Sequence, residues 1–270
     1  MAALCSALAS CTFPTIADRP LGAVDLAPPA VYARWWAMAE ACSGRTGDLS
    51  DVSFYVVPNV SDFTRNGRQV LGYWTSGGNQ IVLAGGAAFD GSNVRHEMLH
   101  ALIRVGGHPR EHFLEKCGGV VDCGALCIQD AGPAPPADPN ALSLSPRLME
   151  VDFDVEPVSP SSAQDGGFFA VTVTVRNPQQ RNVVARLGTT NIQARSFQFE
   201  IRGAAGSLAG GEIVLDASSV TFGPGETKRQ VFDFAVGNDL KTRRLPPGDY
   251  TVLGGYGVQL TPAKTIAVAP

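Results

Sequence analysis

Every cysteine and every histidine of this chain lies before residue 128, and beyond residue 148 the sequence is written almost entirely in two-residue alternation. That split constrains the fold more than any single motif. Alternation such as Phe169, Val171, Val173 and Val175 against Ala170, Thr172, Thr174 and Arg176 is what a half-buried antiparallel strand requires. Residues with chemistry to offer are confined to the other part. With 270 residues, 44% hydrophobic and 17% charged, the chain has an ordinary globular composition and length enough for two modest cores.

Between the two parts, Asp130 to Arg147 reads "DAGPAPPADPNALSLSPR", proline-rich and without helical or strand periodicity, so it is expected to be a semi-rigid linker. After it, "LMEVDFDVEP", "GFFAVTVTVRN", "SFQFEIRG", "GEIVLDA", "KRQVFDFAV" and "GDYTVLGG" predict six or seven strands separated by Gly, Pro, Asn and Ser. The expected architecture for residues 148–270 is an all-β immunoglobulin-like sandwich. Through "PPGDYTVLGG" this part also resembles sandwich domains of secreted bacterial proteins, including those similar to intracellular proteinase inhibitors, a likeness that speaks to fold and not to activity.

The first part predicts helices mixed with strands. "PPAVYARWWAMAEACSG" has an apolar stripe at Val31, Trp35, Met38 and Cys42 and a stop at Gly44. Strands are predicted at Val52 to Pro58, Val70 to Trp74 and Gln80 to Ala84, the last two joined by the turn "TSGGN". A second helix, capped by Asp90 or Ser92, carries Val94, Met98, Ala101, Leu102 and Val105 at a 3.6-residue period until Gly106-Gly107 stops it. His108-Pro109 then opens a further helix toward Cys117-Gly118.

All four histidines fall between Asn93 and Phe113. His96-Glu97-Met98-Leu99-His100 has the form H-E-x-x-H, which on a helix places both imidazoles on one face a turn apart, spaced to share one Zn²⁺. Glu97 stands beside that pair, able to reach a water and not the metal. The segment from about residue 79 to 113 resembles the zincin metallopeptidases, an α+β fold. The nearest likeness is to SprT-like peptidases, in which a Gly-His turn and an aromatic follow the active helix, as in "GGHPREHF". The metzincin continuation fails, because Ile103 and Gly106 stand where Gly and His would be, and Glu111 and Glu115 come too early for a thermolysin-like third ligand. The resemblance implies Zn²⁺ on His96, His100 and a third residue, with Glu97 as general base in peptide hydrolysis. His108 is the first choice for that third ligand, His112 the second and Glu111 the third. Asn79 to Ala84 is either an edge strand that pairs with extended substrate or a core strand, and Tyr73 and Arg110 are either oxyanion donors or structural residues.

The six cysteines are Cys5, Cys11, Cys42, Cys117, Cys123 and Cys127. Leu8-Ala9-Ser10-Cys11 resembles the lipobox of bacterial lipoproteins, which implies an exported chain, in the cell envelope or secreted, lipidated at Cys11 and touching a membrane only there. With Cys5 removed in the leader, Cys42, Cys117, Cys123 and Cys127 are then expected to form two disulfides, of open pairing, in an oxidising compartment. The alternative, Cys117, Cys123 and Cys127 as thiolate ligands of a structural zinc, lacks the usual C-x2-C spacing. A net charge of −4 with no long basic cluster argues against nucleic acid as a partner. The expected organisation is residues 1–11 as leader, 12–129 as a zincin-like metallopeptidase domain, 130–147 as linker and 148–270 as sandwich. The expected function is an exported zinc metalloendopeptidase acting on peptide or protein substrates. The alternative is a surface binding protein with a catalytically inactive or structural zinc domain, for instance one with all four histidines on the metal.

Overall fold

Apolar faces must find partners, and the two parts of the chain solve this with different elements. The computed structural model describes residues 19–133, 138–158, 168–184, 196–204, 206–214, 221–236, 244–245, 248–257 and 259–268. Cys5, Cys11 and the lipobox-like segment lie outside them. The first part runs β1 (Val24–Asp25), α1 (Val31–Ser43), β2 (Ser53–Val57), β3 (Phe63–Arg65), β4 (Arg68–Val70), β5 (Gly72–Thr75), β6 (Gln80–Ala84), α2 (Gly91–Ile103), a π-helical turn at Glu111–Lys116, and α3 (Ala125–Asp130). The second part is built of strands. They are β7 (Leu142–Ser143), β8 (Glu150–Val158), β9 (Phe168–Arg176), β10 (Val183–Val184), β11 (Ser196–Gly203), β12 (Gly206–Val214), β13 (Thr221–Phe222), β14 (Thr227–Val236), β15 (Arg244–Leu245), β16 (Gly248–Tyr256), β17 (Gln259–Leu260) and β18 (Lys264–Val268).

In the first part a four-stranded sheet has the order β1-β2-β6-β5, with β2 and β6 parallel and the other neighbours antiparallel. Its successive residues point to opposite faces. Ile81, Leu83, Trp74 and Phe54 join Tyr32 and Trp35 of α1 and Val94 and Met98 of α2 in one buried cluster, while Val82, Tyr73 and Val57 form a smaller cluster on the opposite face. The buried stripe of α1 is Val31, Tyr32, Trp35, Trp36, Ala39 and Ser43, rotated from the expected one, so Met38 and Cys42 are only partly covered. Gly44 ends α1 in the left-handed conformation at φ 68°.

β6 is flanked by β2 and β5 and is almost wholly buried. The edge strands are therefore β1 and β5, and of the two readings of Asn79 to Ala84 the core strand holds and the edge strand does not: strand order depends on which segments return to the sheet, and the two-residue pattern does not record it. The hairpin β3–β4 is absent from the expected elements. Its turn, Asn66-Gly67, has φ of 50° and 76°, positive at both central residues as a type I′ turn demands.

In the second part, β15-β14-β9-β8 and β12-β11-β16-β17 with β18 form two sheets that contribute to a single core. Phe153, Val171, Val173 and Val175 come from one sheet, and Phe197, Phe199, Ile201, Val252 and Tyr256 from the other. The segment read as a linker is tied down at both ends: Asp130 closes α3, and Leu142–Ser143 pairs in parallel with Val183–Val184. Backbone pairing of that kind needs no periodicity in so short a strand.

The two parts also touch. Away from its partner β9, β14 turns its backbone toward the first part, where the Val231 N–H donates to the Gly119 carbonyl at 3.0 Å. The Val231 side chain joins the buried cluster that holds Met98. Gly119 has φ 86°, and a Cβ there would strike the Arg229 carbonyl, so only glycine fits this crossing.

Candidate metal site

α2 begins where the Asp90 side chain accepts from the Asn93 N–H, and it ends two residues before the expected stop, with Arg104 taking the left-handed C-cap position at φ 59° and ψ 35°. A non-glycine residue pays roughly 1–2 kcal/mol for that conformation. The Arg104 N–H in return donates to the His100 carbonyl at 2.8 Å, and the chain reverses so that His108 returns to the face of the helix. Pro109 then opens the π-helical turn, with the His112 and Phe113 N–H groups both donating to its carbonyl at 3.0 Å.

The reversal brings three imidazoles together. The Nε2 atoms of His96 and His108 are 3.1 Å apart, those of His100 and His96 3.2 Å, and those of His100 and His108 3.3 Å. Three nitrogens bound at about 2.0–2.1 Å in tetrahedral directions lie about 3.3–3.4 Å from one another. The triad can hold a metal ion.

Each ring is fixed through its other nitrogen. His96 Nδ1 meets the Asp122 carbonyl, His100 Nδ1 meets the Val105 carbonyl at 2.7 Å, and His108 Nδ1 meets Asp130 Oδ2 at 3.0 Å. With Nδ1 so occupied, Nε2 is the atom left to a ligand. Beneath the three rings lies Phe113, wholly buried, its ring centre 5.0, 4.6 and 4.9 Å from those of His96, His100 and His108. Burial is the main cause that lowers the pKa of His96 to about 3 and of His100 to about 4; nearby histidines add to it. Both are thus neutral, the form a metal binds.

Glu97 is buried beside them. Burial pushes its carboxyl up to about 8, while the Trp74 backbone N–H and the charge of Arg65 work in the opposite direction. Trp74 stands next to the site, its ring parallel to that of His100 with centres 6.3 Å apart. Its indole N–H donates to Asn79 Oδ1 at 2.7 Å, and Asn79 Nδ2 donates to the Asp51 carbonyl at 2.9 Å, so the wall is braced from behind.

The other candidates for the third ligand fall elsewhere. His112 is buried outside the triad, and Glu111 pairs with Lys116 at 2.6 Å on the surface. The structure groups three histidines and not four, His112 lying outside the cluster. Tyr73 lies in the cluster on the far side of the sheet from Trp74, beneath the Arg65 guanidinium at 3.5 Å, and Arg110 donates to the Gly132 carbonyl at 3.2 Å. Trp74, Asp122 and Asp130 went unread in the sequence. Asp122 acts through its backbone, which no residue type announces.

Among the described residues two disulfides are present, Cys42–Cys117 and Cys123–Cys127, and they mark an oxidising environment. The first ties α1 to the π-helical turn. The second lies between Asp122 and Asp130, the outer partners of His96 and His108. Among the described residues no helix is long and apolar enough to cross a membrane.

No protein-family model matches the chain, and no curated protein matches it. Solved structures match only slightly. An X-ray structure of a structural genomics target is 14% identical with a TM-score of 0.28, over 46% of this chain and 89% of that one. A β-glucosidase involved in saponin metabolism from intestinal bacteria is 21% identical with a TM-score of 0.28, over 45% of this chain and 16% of that one. β-Glucosidase 3B from Thermotoga neapolitana is 16% identical with a TM-score of 0.28, over 45% of this chain and again 16% of that one. Likeness this slight assigns neither a fold nor an activity.

Proposed function

We propose that this protein is a zinc-dependent endopeptidase of zincin type, exported and anchored through a lipid on Cys11, acting on peptide or protein substrates. The observation that carries the reading is the Nε2 triangle of His96, His100 and His108, each ring held by a separate partner. Three neutral nitrogen ligands with an open fourth position are the ligand set of a catalytic zinc, whereas a structural zinc fills all four. Among the described residues no fourth His, Cys, Asp or Glu joins the cluster. A zinc ion bound there supplies Lewis acidity, polarising a carbonyl and acidifying a water.

The chain's own residues perform the remaining steps. Glu97 accepts a proton from the attacking water and returns it to the leaving amine nitrogen, so that one water and one peptide bond become a carboxylic acid and an amine. Burial holds the Glu97 carboxyl up at about 8, with the Trp74 N–H and the Arg65 charge acting against it, so the ionised form that accepts the proton is expected to gain as pH rises through that value. β5, the edge strand that carries Trp74, offers backbone groups to an extended substrate strand beside the site.

The test is zinc content together with hydrolysis of a mixed peptide library, for wild type and for Glu97→Gln. The expected result is one zinc in both proteins and cleavage by wild type only, with the rate lowered by about 10²-fold or more in the variant. Absence of zinc from wild type ends the reading. Zinc in both proteins with cleavage by neither hands it to the alternative, a binding protein with a structural zinc.

A further inference from the structure

Next to the triad the surface opens into a cleft of about 410 Å³. Trp74, which stacks on His100, forms one wall, and Gly106, one residue beyond the Val105 carbonyl that orients His100, forms another. The cleft thus borders the metal site through neighbours of His100, while none of the three ligands lines it. Its charged residues are Arg65 and Arg104, and no Asp or Glu lines it. On a chain of net charge −4, a cleft with two cations and no acid is a local feature and not a reflection of composition.

The two arginines enter the cleft from defined backbone positions. Arg65 ends β3 at the Asn66-Gly67 turn and stacks over Tyr73, close enough to Glu97 for its charge to be felt there. Arg104 is the left-handed cap of α2, a position where glycine is usual and where a side chain is held despite its backbone cost. Neither arginine forms an ion pair among the described residues. Two guanidinium groups lining one cleft, neither in an ion pair among the described residues, suit a carboxylate in charge and in hydrogen-bonding chemistry.

Resting on the metallopeptidase reading, we propose that this cleft receives a carboxylate of the substrate chain close to the scissile bond. Two sources share that chemistry, an Asp or Glu side chain and the free C-terminal carboxylate. The preference is therefore for acidic peptides or for cleavage near a chain end.

The experiment uses fluorescence-labelled peptides in matched sets, Glu against Gln at each position and free acid against C-terminal amide, titrated onto the zinc-loaded Glu97→Gln protein so that binding is read without hydrolysis. The expected result is at least tenfold tighter binding of one carboxylate set, weakening with salt and falling to less than twofold preference in Arg104→Gly. That variant removes the guanidinium while suiting the left-handed backbone, so loss of preference is not loss of folding. Arg65→Gln is the second arm and is expected to act in the same direction. Preference confined to the Glu set assigns the side chain, and preference confined to the free acids assigns the chain end. Equal binding of all sets, no binding by any, or a preference that survives both variants overturns the proposal. Wild-type cleavage without charge preference would remove this cleft's role and leave the peptidase standing, while charge-selective binding without cleavage would do the reverse.

Discussion

The two parts of the molecule hold themselves together by opposite means. In residues 19–133 two of the ligands, His96 and His100, sit on the regular helix α2, but His108 and the outer partners at Val105, Asp122 and Asp130 sit on turns and a six-residue helix, and two disulfides pin that irregular backbone. In residues 138–268 the described chain is mostly paired strands around one apolar core, with no cysteine and no histidine. Regular pairing satisfies its own backbone groups and needs no staples. Irregular backbone can aim side chains at a point, and covalent closure then supplies the order that pairing would have given.

That contrast can be broken at each part and at the seam. Replacing Cys42 and Cys117 with Ala opens a cross-link spanning 75 residues and is expected to cost about 4 kcal/mol of stability, measured by denaturant unfolding. A loss below about 1 kcal/mol would mean that packing alone holds the first part. Phe153→Ala, at a side chain 2% exposed in the second core, is expected to cost about 3–4 kcal/mol while zinc affinity by competition titration changes less than twofold. Should zinc affinity fall in step, the site depends on the strand core.

Gly119→Ala strikes the seam. Its positive φ and the Arg229 carbonyl in its way predict a loss of about 2 kcal/mol, against no change if the contact is incidental. Smallest is Asp130→Ala, which frees His108 Nδ1 from an exposed partner; about a tenfold drop in zinc affinity is expected, with unfolding stability unaltered. Unchanged affinity would make Asp130 a bystander and leave His108 oriented by its backbone alone.

Much of the site could be read from residue order, and the unread parts have a common cause. Helical periodicity alone puts His96 and His100 on one face, and the double glycine before His108 announces the reversal that brings it back. The type I′ turn at Asn66-Gly67 was signalled by residue type and still passed over, though it presents Arg65 to the cleft. By contrast, the edge position of β5, the Asp122 carbonyl and the pairing of the four cysteines depend on which distant segments meet. Local sequence carries no record of such meetings. The strands of the second part were legible because alternation is local, whereas the parallel pairing of Leu142–Ser143 joins residues about forty positions apart.

The hydrogen bond from Val231 to Gly119 bears on how this chain can be divided. Between Thr227 and Phe234, β14 is paired on one side by β9, and the other side is where the first part docks. Expressed alone, the second part would carry an open strand edge beside an uncovered valine, a template on which another copy can add a strand. The first part alone would lose one wall of the cluster that supports α2. A cut through the proline-rich segment is thus expected to leave each half with an exposed face, prone to self-association.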